Sequence, residues 1–324
     1  MTNASARCSR RHCLALPLVV LAACADAPPS PASKPVAPDA LISPWRTVNG
    51  GFLSPPGPTL GIPARPGTGM FVRLIAPTAL ALRGNDLLVV DSGAARLWRI
   101  DTGFNTLAAI GGAPTGPGTS VALGADLSAW VLDAGAAQVL RFARDGRLLQ
   151  TLRAGNAATS SVGFALVDGG ATLLLADRAL PRWAELRPVG SIAATIEPEL
   201  ASGERLRSVD ALAVVGATVY VLDRLAGRVH RVQRDGRVIA SLGEGVLRQP
   251  SAIAADREGR VFVVDAQGAV LQVFIPGEAT HAFEARDLGV VQIGALAVDE
   301  RFLAVADRVR GQVVIHRLGS AAAR

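Results

Sequence analysis

Cysteine, lysine and histidine are all scarce in this chain of 324 residues. Its only cysteines are Cys8, Cys13 and Cys24, its one lysine is Lys34, and it has four histidines. The first two cysteines lie in a segment with the features of a cleaved signal, described below, so the mature chain would keep Cys24 alone. That count excludes an internal disulfide, a cysteine-ligated zinc site and a catalytic cysteine pair.

Positive charge exceeds negative charge, which raises the question of nucleic-acid binding. The formal net charge is +6 and the pI is near 10.4. Arg7, Arg10 and Arg11 contribute three of these charges and lie in the removable segment. The other arginines are scattered among acidic residues, whereas binding to phosphates needs a clustered basic surface. We therefore expect no nucleic-acid partner.

The first 24 residues have the features of an export signal. A basic start is followed by an apolar run from Leu14 to Ala23, which is too short to cross a bilayer as a permanent helix. The run ends in Leu21-Ala22-Ala23-Cys24, which resembles the lipobox of bacterial lipoproteins. The resemblance implies that residues 1–23 are removed and that a lipidated Cys24 anchors the protein to a membrane, facing the periplasm or the cell exterior.

The type of export signal stays open. The run Ser9-Arg10-Arg11-His12 also resembles a twin-arginine signal, and an ordinary signal cleaved near Ala23 is the alternative to the lipobox.

Residues 24–40 are rich in Pro and Ala. Such a segment favours polyproline II, so we expect it to act as a tether.

A short apolar run that ends in aspartate recurs six times. The aspartates are Asp91, Asp133, Asp177, Asp223, Asp265 and Asp307, separated by 42, 44, 46, 42 and 42 residues. Around each of them the sequence suggests four short strands joined by turns, which is typical of a propeller blade. We therefore predict an all-β, six-bladed β-propeller with four-stranded antiparallel blades over residues 41–324.

The repeat is similar to NHL repeats, in which a proline, a small apolar strand, a glycine turn and a strand ending in Asp follow in order. Pro250 to Phe274 shows the pattern well, with Gly259 in the turn and Asp265 at the strand end. The resemblance covers residues 77–318. The third copy departs most, because Pro181 interrupts its turn and Pro188 its next strand.

Closure of the ring needs a strand from the other end of the chain. The sixth copy ends near Leu318 after three strands. We predict that a strand within Ile42 to Asn49 supplies the fourth, because an unpaired sheet edge would template aggregation. The Pro/Gly-rich stretch from Ser54 to Gly69 would then link this strand to blade one.

The six aspartates are expected to be structural. At the end of a strand, a carboxylate can accept hydrogen bonds from the backbone N–H groups of the following turn. Arg96, Arg182 and Arg228 each lie five residues after one of them and could pair with it.

The residue that opens the first strand of each blade faces the mouth of the central channel. These residues are Thr78, Ser120, Gly163, Asp210, Ser251 and Gly294. We take Thr78, Ser120, Asp210 and Ser251 as possible binding residues. A calcium site needs six to eight oxygen ligands with several carboxylates, and Asp210 is the one acid in the ring. We therefore expect no metal and no other cofactor.

Catalytic residues are not evident in this pattern. His230 and His316 fall on third strands, away from the channel, so we nominate no catalytic residue. The loops Gly111–Thr119, Ala154–Ser161 and Glu197–Arg207 are long enough to take part in recognition.

We expect a monomeric, membrane-anchored scaffold that binds an envelope protein, a peptide or a polymer without catalysis. The alternatives are a calcium-dependent lactonase or lyase of the six-bladed class, with Asp210 as a metal ligand, and a sensor subunit of an envelope complex.

Overall fold

The computed structural model describes residues 41–53, 69–153, 161–177 and 179–319. The predicted signal sequence, Cys24 and the tether lie outside the described residues, as do residues 54–68 and 154–160. Over the described ranges the chain forms 26 strands and three 3-10 helices, at Asp168–Gly170, Ala266–Gly268 and Ala285–Leu288. None of the helices found in these ranges is long and apolar enough to cross a membrane.

The strands form six blades, each with four antiparallel strands, as the repeat predicts. From inside to outside, blade one comprises β4 (Pro77–Arg83), β5 (Asp86–Asp91), β6 (Arg96–Asp101) and β7 (Thr106–Ile110); blade two β8 (Ser120–Leu123), β9 (Ala129–Asp133), β10 (Gln138–Phe142) and β11 (Leu148–Arg153); blade three β12 (Ser161–Val167), β13 (Thr172–Asp177), β14 (Trp183–Leu186) and β15 (Ile192–Ile196). Blade four comprises β16 (Ala211–Val215), β17 (Thr218–Asp223), β18 (Arg228–Gln233) and β19 (Val238–Leu242); blade five β20 (Ala252–Ala255), β21 (Val261–Asp265), β22 (Val270–Phe274) and β23 (His281–Glu284); blade six β24 (Ile293–Val298), β25 (Phe302–Asp307), β26 (Gln312–Leu318) and β1 (Ile42–Val48).

The apolar runs that end in Asp form the second strand of each blade. Those strands, such as β5 and β21, are buried along their whole length because a neighbouring blade covers each face. One hydrophobic cluster lies at each of the six blade boundaries. Trp130 and Trp183 are among the largest fully buried side chains. The core is therefore a ring of packed interfaces around the channel.

The inner strands complete the ring. Each of β4, β8, β12, β16, β20 and β24 contacts the next, and β24 returns to contact β4. The predicted closing strand is also confirmed: β1 pairs antiparallel with β26, with Ile42 opposite Leu318 and Val48 opposite Val313. Blade six thus takes its outermost strand from the N-terminal side of the domain.

Two strands were not predicted. β2 (Gly50–Leu53) pairs antiparallel with β3 (Phe71–Arg73) and parallel with β7, so blade one gains two strands on its outer edge. A Cβ at Gly50 would lie 2.0 Å from the carbonyl oxygen of Val72, and φ there is +151°, so the close approach requires glycine. The link to blade one is therefore flanked by paired strands.

Blade three keeps all four strands despite its prolines. Pro181 lies in the turn before β14, and Pro188 lies in the turn between β14 and β15. Neither proline removes a donor from within a strand, so the departure from the repeat is accommodated in the turns.

Candidate ligand-binding sites at the two channel mouths

The propeller has two distinct faces at the ends of its channel. We call the face on which the inner strands begin the entry face, and the face on which they end the exit face. The six repeated aspartates and the residues that open the inner strands belong to the entry face, because the second strand of each blade runs antiparallel to the first.

Asp91 shows what a repeated aspartate does. Its Oδ2 accepts the N–H of Ile75 at 2.8 Å, and its Oδ1 accepts the N–H groups of Ala76 at 2.8 Å and Ala94 at 3.1 Å. One carboxylate therefore fastens the loop that enters the blade to the turn that follows the second strand.

Three other blades repeat this arrangement of bonds to the entering loop. The N–H groups of Arg207, Arg248 and Val291 donate to Asp223, Asp265 and Asp307 at 2.7, 3.0 and 2.9 Å. Asp133 differs, since the partners of its carboxylate in the described residues are the N–H of Ala136 and the Nε2 of Gln138. The entering loops of blades one, four, five and six are thus set by a buried carboxylate.

The expected arginine pairs form at only one of three places. Arg182 Nε donates to Asp177 at 3.0 Å. Arg228 contacts Glu244 instead of Asp223, and Arg96 makes no ion pair within the described ranges. Around Asp223 the place of a guanidinium is taken by His230, whose Nε2 lies 3.7 Å from Oδ2.

The pKa of Asp223 reflects these partners. Burial alone would raise it, but His230, the N–H groups of Ala226 and Arg207 and the hydroxyl of Ser208 together hold the pKa below its ordinary 3.8. The carboxylate is therefore the favoured form at neutral pH.

Replacement of Asp223 by alanine is expected to cost about 1–3 kcal/mol of stability at pH 7, because buried donors of the loop and the turn lose their acceptor. A lowered carboxyl pKa stabilises the fold above the unfolded value of 3.8, and this part is lost as pH falls through the folded value. The difference between wild type and Asp223→Ala should therefore shrink below pH 3.8. Urea unfolding at several pH values measures it. Asp133→Ala, which frees fewer donors, should cost less; equal losses would contradict this account.

The predicted mouth residues take different positions. The hydroxyl of Thr78 donates to the carbonyl of Val90 at 3.3 Å, which turns it toward its own blade. Ser120 begins β8 and is half-buried, whereas Ser251 precedes β20 and is exposed. Ser251 lines the crevice between blades four and five, Asp210 opens blade four, and Thr78 and Ser120 belong to blades one and two.

Asp210 is the centre of a polar network. Ser208 donates to its Oδ2 at 2.5 Å and is also 3.0 Å from Oδ1 of Asp223. The N–H of Arg224 donates to Oδ2 at 3.0 Å, and its Nε to Oδ1 at 3.3 Å. Both oxygens of Asp210 are thus held by donors from its own blade.

This donor set does not fit a calcium ion. Calcium needs six to eight oxygen ligands, several of them carboxylates, and the carboxylate of Asp210 faces a guanidinium instead. Within the described residues no group of three or more His, Cys, Asp or Glu side chains could hold a metal ion.

The histidines on third strands are buried. Nδ1 of His230 lies 2.8 Å from the hydroxyl of Ser241, so Ser241, His230 and Asp223 form a chain across blade four. Ser241 is on the outermost strand and lines neither of the mouth cavities described below. Burial lowers the pKa of His316 below 6.5, although the carbonyl of Leu288 at 3.2 Å opposes the shift. Neither ring faces the channel.

A crevice opens on the entry face between blades four and five. Its volume is about 540 Å³, and it is lined by Arg224, Leu225, Arg248, Gln249, Pro250, Ser251 and Gln267. The side chain of Arg248 has no hydrogen-bond or ion-pair partner in the part of the chain that the structure describes. Sequence reasoning identified Ser251 but missed both arginines. Aligning the repeats on their aspartates would have shown Arg248 in an entering loop and Arg224 directly after Asp223.

A larger bowl lies on the exit face. Its volume is about 660 Å³, and the ends of the inner strands of blades one, three, four, five and six line it. The crevice and the bowl both have volumes in the range of small-molecule sites.

The comparisons with known proteins show the fold. No protein-family model matches the chain, and no curated protein matches it. Virginiamycin B lyase from Staphylococcus aureus is similar in structure, with a TM-score of 0.55, 10% identity, and coverage of 75% of this chain and 95% of that one. A gluconolactonase from Xanthomonas campestris has a TM-score of 0.56 and 15% identity, with coverage of 76% of this chain and 86% of that one. Hydrazine synthase from Kuenenia stuttgartiensis has a TM-score of 0.54 and 10% identity, with coverage of 82% of this chain and 99% of that one.

These likenesses show a six-bladed β-propeller fold whose structural neighbours include a lyase and a gluconolactonase. The similarity to NHL repeats stays a prediction from the sequence.

Proposed function

We propose that this chain is a lipid-anchored, extracytoplasmic propeller that binds an acidic peptide segment of an envelope protein in the crevice between blades four and five, without catalysis. The anchor rests on Leu21-Ala22-Ala23-Cys24 at the end of the apolar run. The binding mode rests on the residues that line the crevice of the entry face.

The observation that carries the proposal is a pair of arginines in one preformed crevice. Asp210 holds the backbone of Arg224 and also pairs with its Nε, whereas Asp265 holds only the backbone of Arg248. Arg248 is therefore the arginine whose guanidinium has no partner within the described residues. Gln249, Ser251 and Gln267 add polar groups to the same lining. Guanidinium groups favour carboxylates because they offer a planar fork of donors, so the crevice suits an acidic segment.

The repeat itself provides a comparison for Arg248. The residue that donates the equivalent amide is Ile75 in blade one, Arg207 in blade four and Val291 in blade six. Ile75 and Val291 are apolar, and their exposed fractions are 57% and 51%. Since the fold accepts an aliphatic side chain at this place, the arginine is not needed for the loop, which supports a role in recognition.

A lactonase or lyase is the second candidate, because solved neighbours of the fold have those names. It would need Asp210 as a metal ligand. The guanidinium and hydroxyl donors on that carboxylate favour the binding function instead.

Fluorescein-labelled hexaglutamate is the probe for the first candidate. We expect it to bind in fluorescence polarisation, and Arg248→Ile, which installs the residue of blade one, to weaken binding about tenfold or more. Arg308→Ile, at an exposed arginine of the entry face in blade six, is the matched control and should bind as wild type does. Binding should weaken as salt is added, since exposed charges are screened.

Equal binding by wild type and Arg248→Ile would refute the crevice as the site. A melting temperature that rises with calcium in wild type, but not in Asp210→Asn, would favour the enzyme and count against the scaffold.

A further inference from the structure

The bowl on the exit face has an apolar wall. Leu82, Leu166, Val214, Val215 and Val298 come from four blades and line it together. All but Leu82, which is 8% exposed, are half-buried, so these aliphatic side chains keep part of their surface accessible although they converge on one axis. A concave apolar wall of this kind gains free energy when a hydrocarbon group covers it.

The acids that line the bowl are already engaged. Asp256 is paired with Arg260, and Glu300 with Arg257. Asp299 accepts the N–H groups of Gly84, Arg301 and Phe302, each at 2.8 Å. Asp256 and Glu300 are therefore paired with arginines, whereas Asp299 is held by backbone N–H groups.

Two of the arginines in the lining have no acidic partner. Neither Arg83 nor Arg301 forms an ion pair within the ranges that the structure describes, and both are exposed. The Arg301 guanidinium lies 5.2 Å from the ring centroid of Phe302. The bowl thus combines an aliphatic wall with two exposed arginines on its rim.

The bowl is also held in shape across the closure of the ring. Asp299 lies in blade six, and the N–H of Gly84 lies in the first turn of blade one. Because the carboxylate joins the turn that carries Arg301 to Gly84, the residue after Arg83, the backbone positions of the two arginines are fixed without a ligand. This lowers the entropy lost on binding.

We propose that the exit mouth binds a small amphipathic anion, a carboxylate with an aliphatic chain. The chain lies against the valine and leucine wall, and the carboxylate is held by Arg83 and Arg301. This site lies on the face opposite to the proposed peptide crevice, and either could exist without the other.

Three probes with the same chain and different heads test the proposal: decanoate, decanol and decyltrimethylammonium, each titrated below its micelle-forming concentration and followed by calorimetry. We expect decanoate to bind more tightly than decanol and the cation to bind least. In Arg83→Gln/Arg301→Gln the affinity for decanoate should fall about tenfold or more, and that for decanol should stay the same. Val214→Thr, which keeps the side-chain shape but adds a hydroxyl, should weaken both.

Arg248→Ile is the control, since it alters the entry face and should leave decanoate binding unchanged. The proposal is overturned if decanoate does not bind, if the cation binds as well as the anion, or if the double arginine variant binds decanoate normally. If Arg248→Ile weakens decanoate binding and the exit-face variants do not, the anion binds at the entry face. That result also overturns the proposal.

Discussion

A chain that begins at Gly50 is expected not to form a stable propeller, whereas a chain that begins at Ala40 should unfold cooperatively on heating. The difference between the two is β1, the outermost strand of blade six. Without it the outer edge of β26 has no partner, and an unpaired edge of this kind pairs with other chains. We therefore expect a broad, low-temperature transition and aggregation from the shorter chain.

The packing of β1 indicates how large the effect is. Ile42 is 6% exposed and Val48 3%, and full burial of such a side chain is worth about 1.5–3 kcal/mol each. The ring of Trp45 also stacks on Phe302, with centroids 4.4 Å apart. These losses together approach the stability of a typical domain.

Calorimetry of the two chains checks this prediction, and a synthetic peptide of residues 41–49 provides its control. Added to the shorter chain, the peptide should restore a cooperative melt, and a peptide with Val48→Asp should not. A shorter chain that melts at the temperature of the longer one would show that the strand does not hold the ring.

The architecture was predictable because it is periodic. An aspartate about every 42–46 residues fixes the number of blades, and three strands in the last copy require a fourth from elsewhere. The strands β2 and β3 carry no copy of the repeat. They depend on the approach of Gly50 to Val72, which links residues on both sides of an undescribed stretch and leaves no local pattern.

The candidate sites were less predictable because they depend on differences between the repeats. The aspartates recur in every blade, but whether the entering loop carries Ile75, Arg248 or Val291 decides the surface. Asp210 is identifiable from the sequence as the one acid of the ring, yet its engagement by Arg224 follows from a turn fourteen residues away. The bowl on the exit face forms only when folding brings the ends of the inner strands together, so no local pattern in the sequence indicates it.

The two faces differ in what holds them. On the entry face, carboxylates at the ends of the second strands of blades one, four, five and six fasten the entering loop to its own blade. On the exit face, Asp299 bonds to blade one and Arg260 bonds to the carbonyl of Gly319 after blade six, so polar bonds there cross between blades. The exit face therefore depends on buried charge for its cohesion.

The ion pair of Asp256 and Arg260 is expected to be the most sensitive charged pair on this face. Arg260 is 1% exposed and Asp256 4%, with Nε and Oδ2 2.5 Å apart. Asp256→Asn keeps an acceptor for the N–H groups of Glu258 and Arg260 but removes the negative charge. The guanidinium then keeps only the more exposed carboxylate of Glu258, whose Oε2 lies 3.4 Å from its Nη1. Loss of the buried partner is expected to cost up to about 3–5 kcal/mol.

A second substitution separates the charge from the turn. Replacing Arg260 by methionine in the Asp256→Asn background removes the buried charge that has lost its buried partner and fills the same space with an apolar side chain. Such replacements of buried pairs are commonly neutral or stabilising. We expect Asp256→Asn/Arg260→Met to recover part of the free energy of unfolding that Asp256→Asn loses, as measured by urea denaturation. If the double variant is no more stable than Asp256→Asn, the loss comes from the turn and the bond to Gly319 instead of from the buried charge of Arg260.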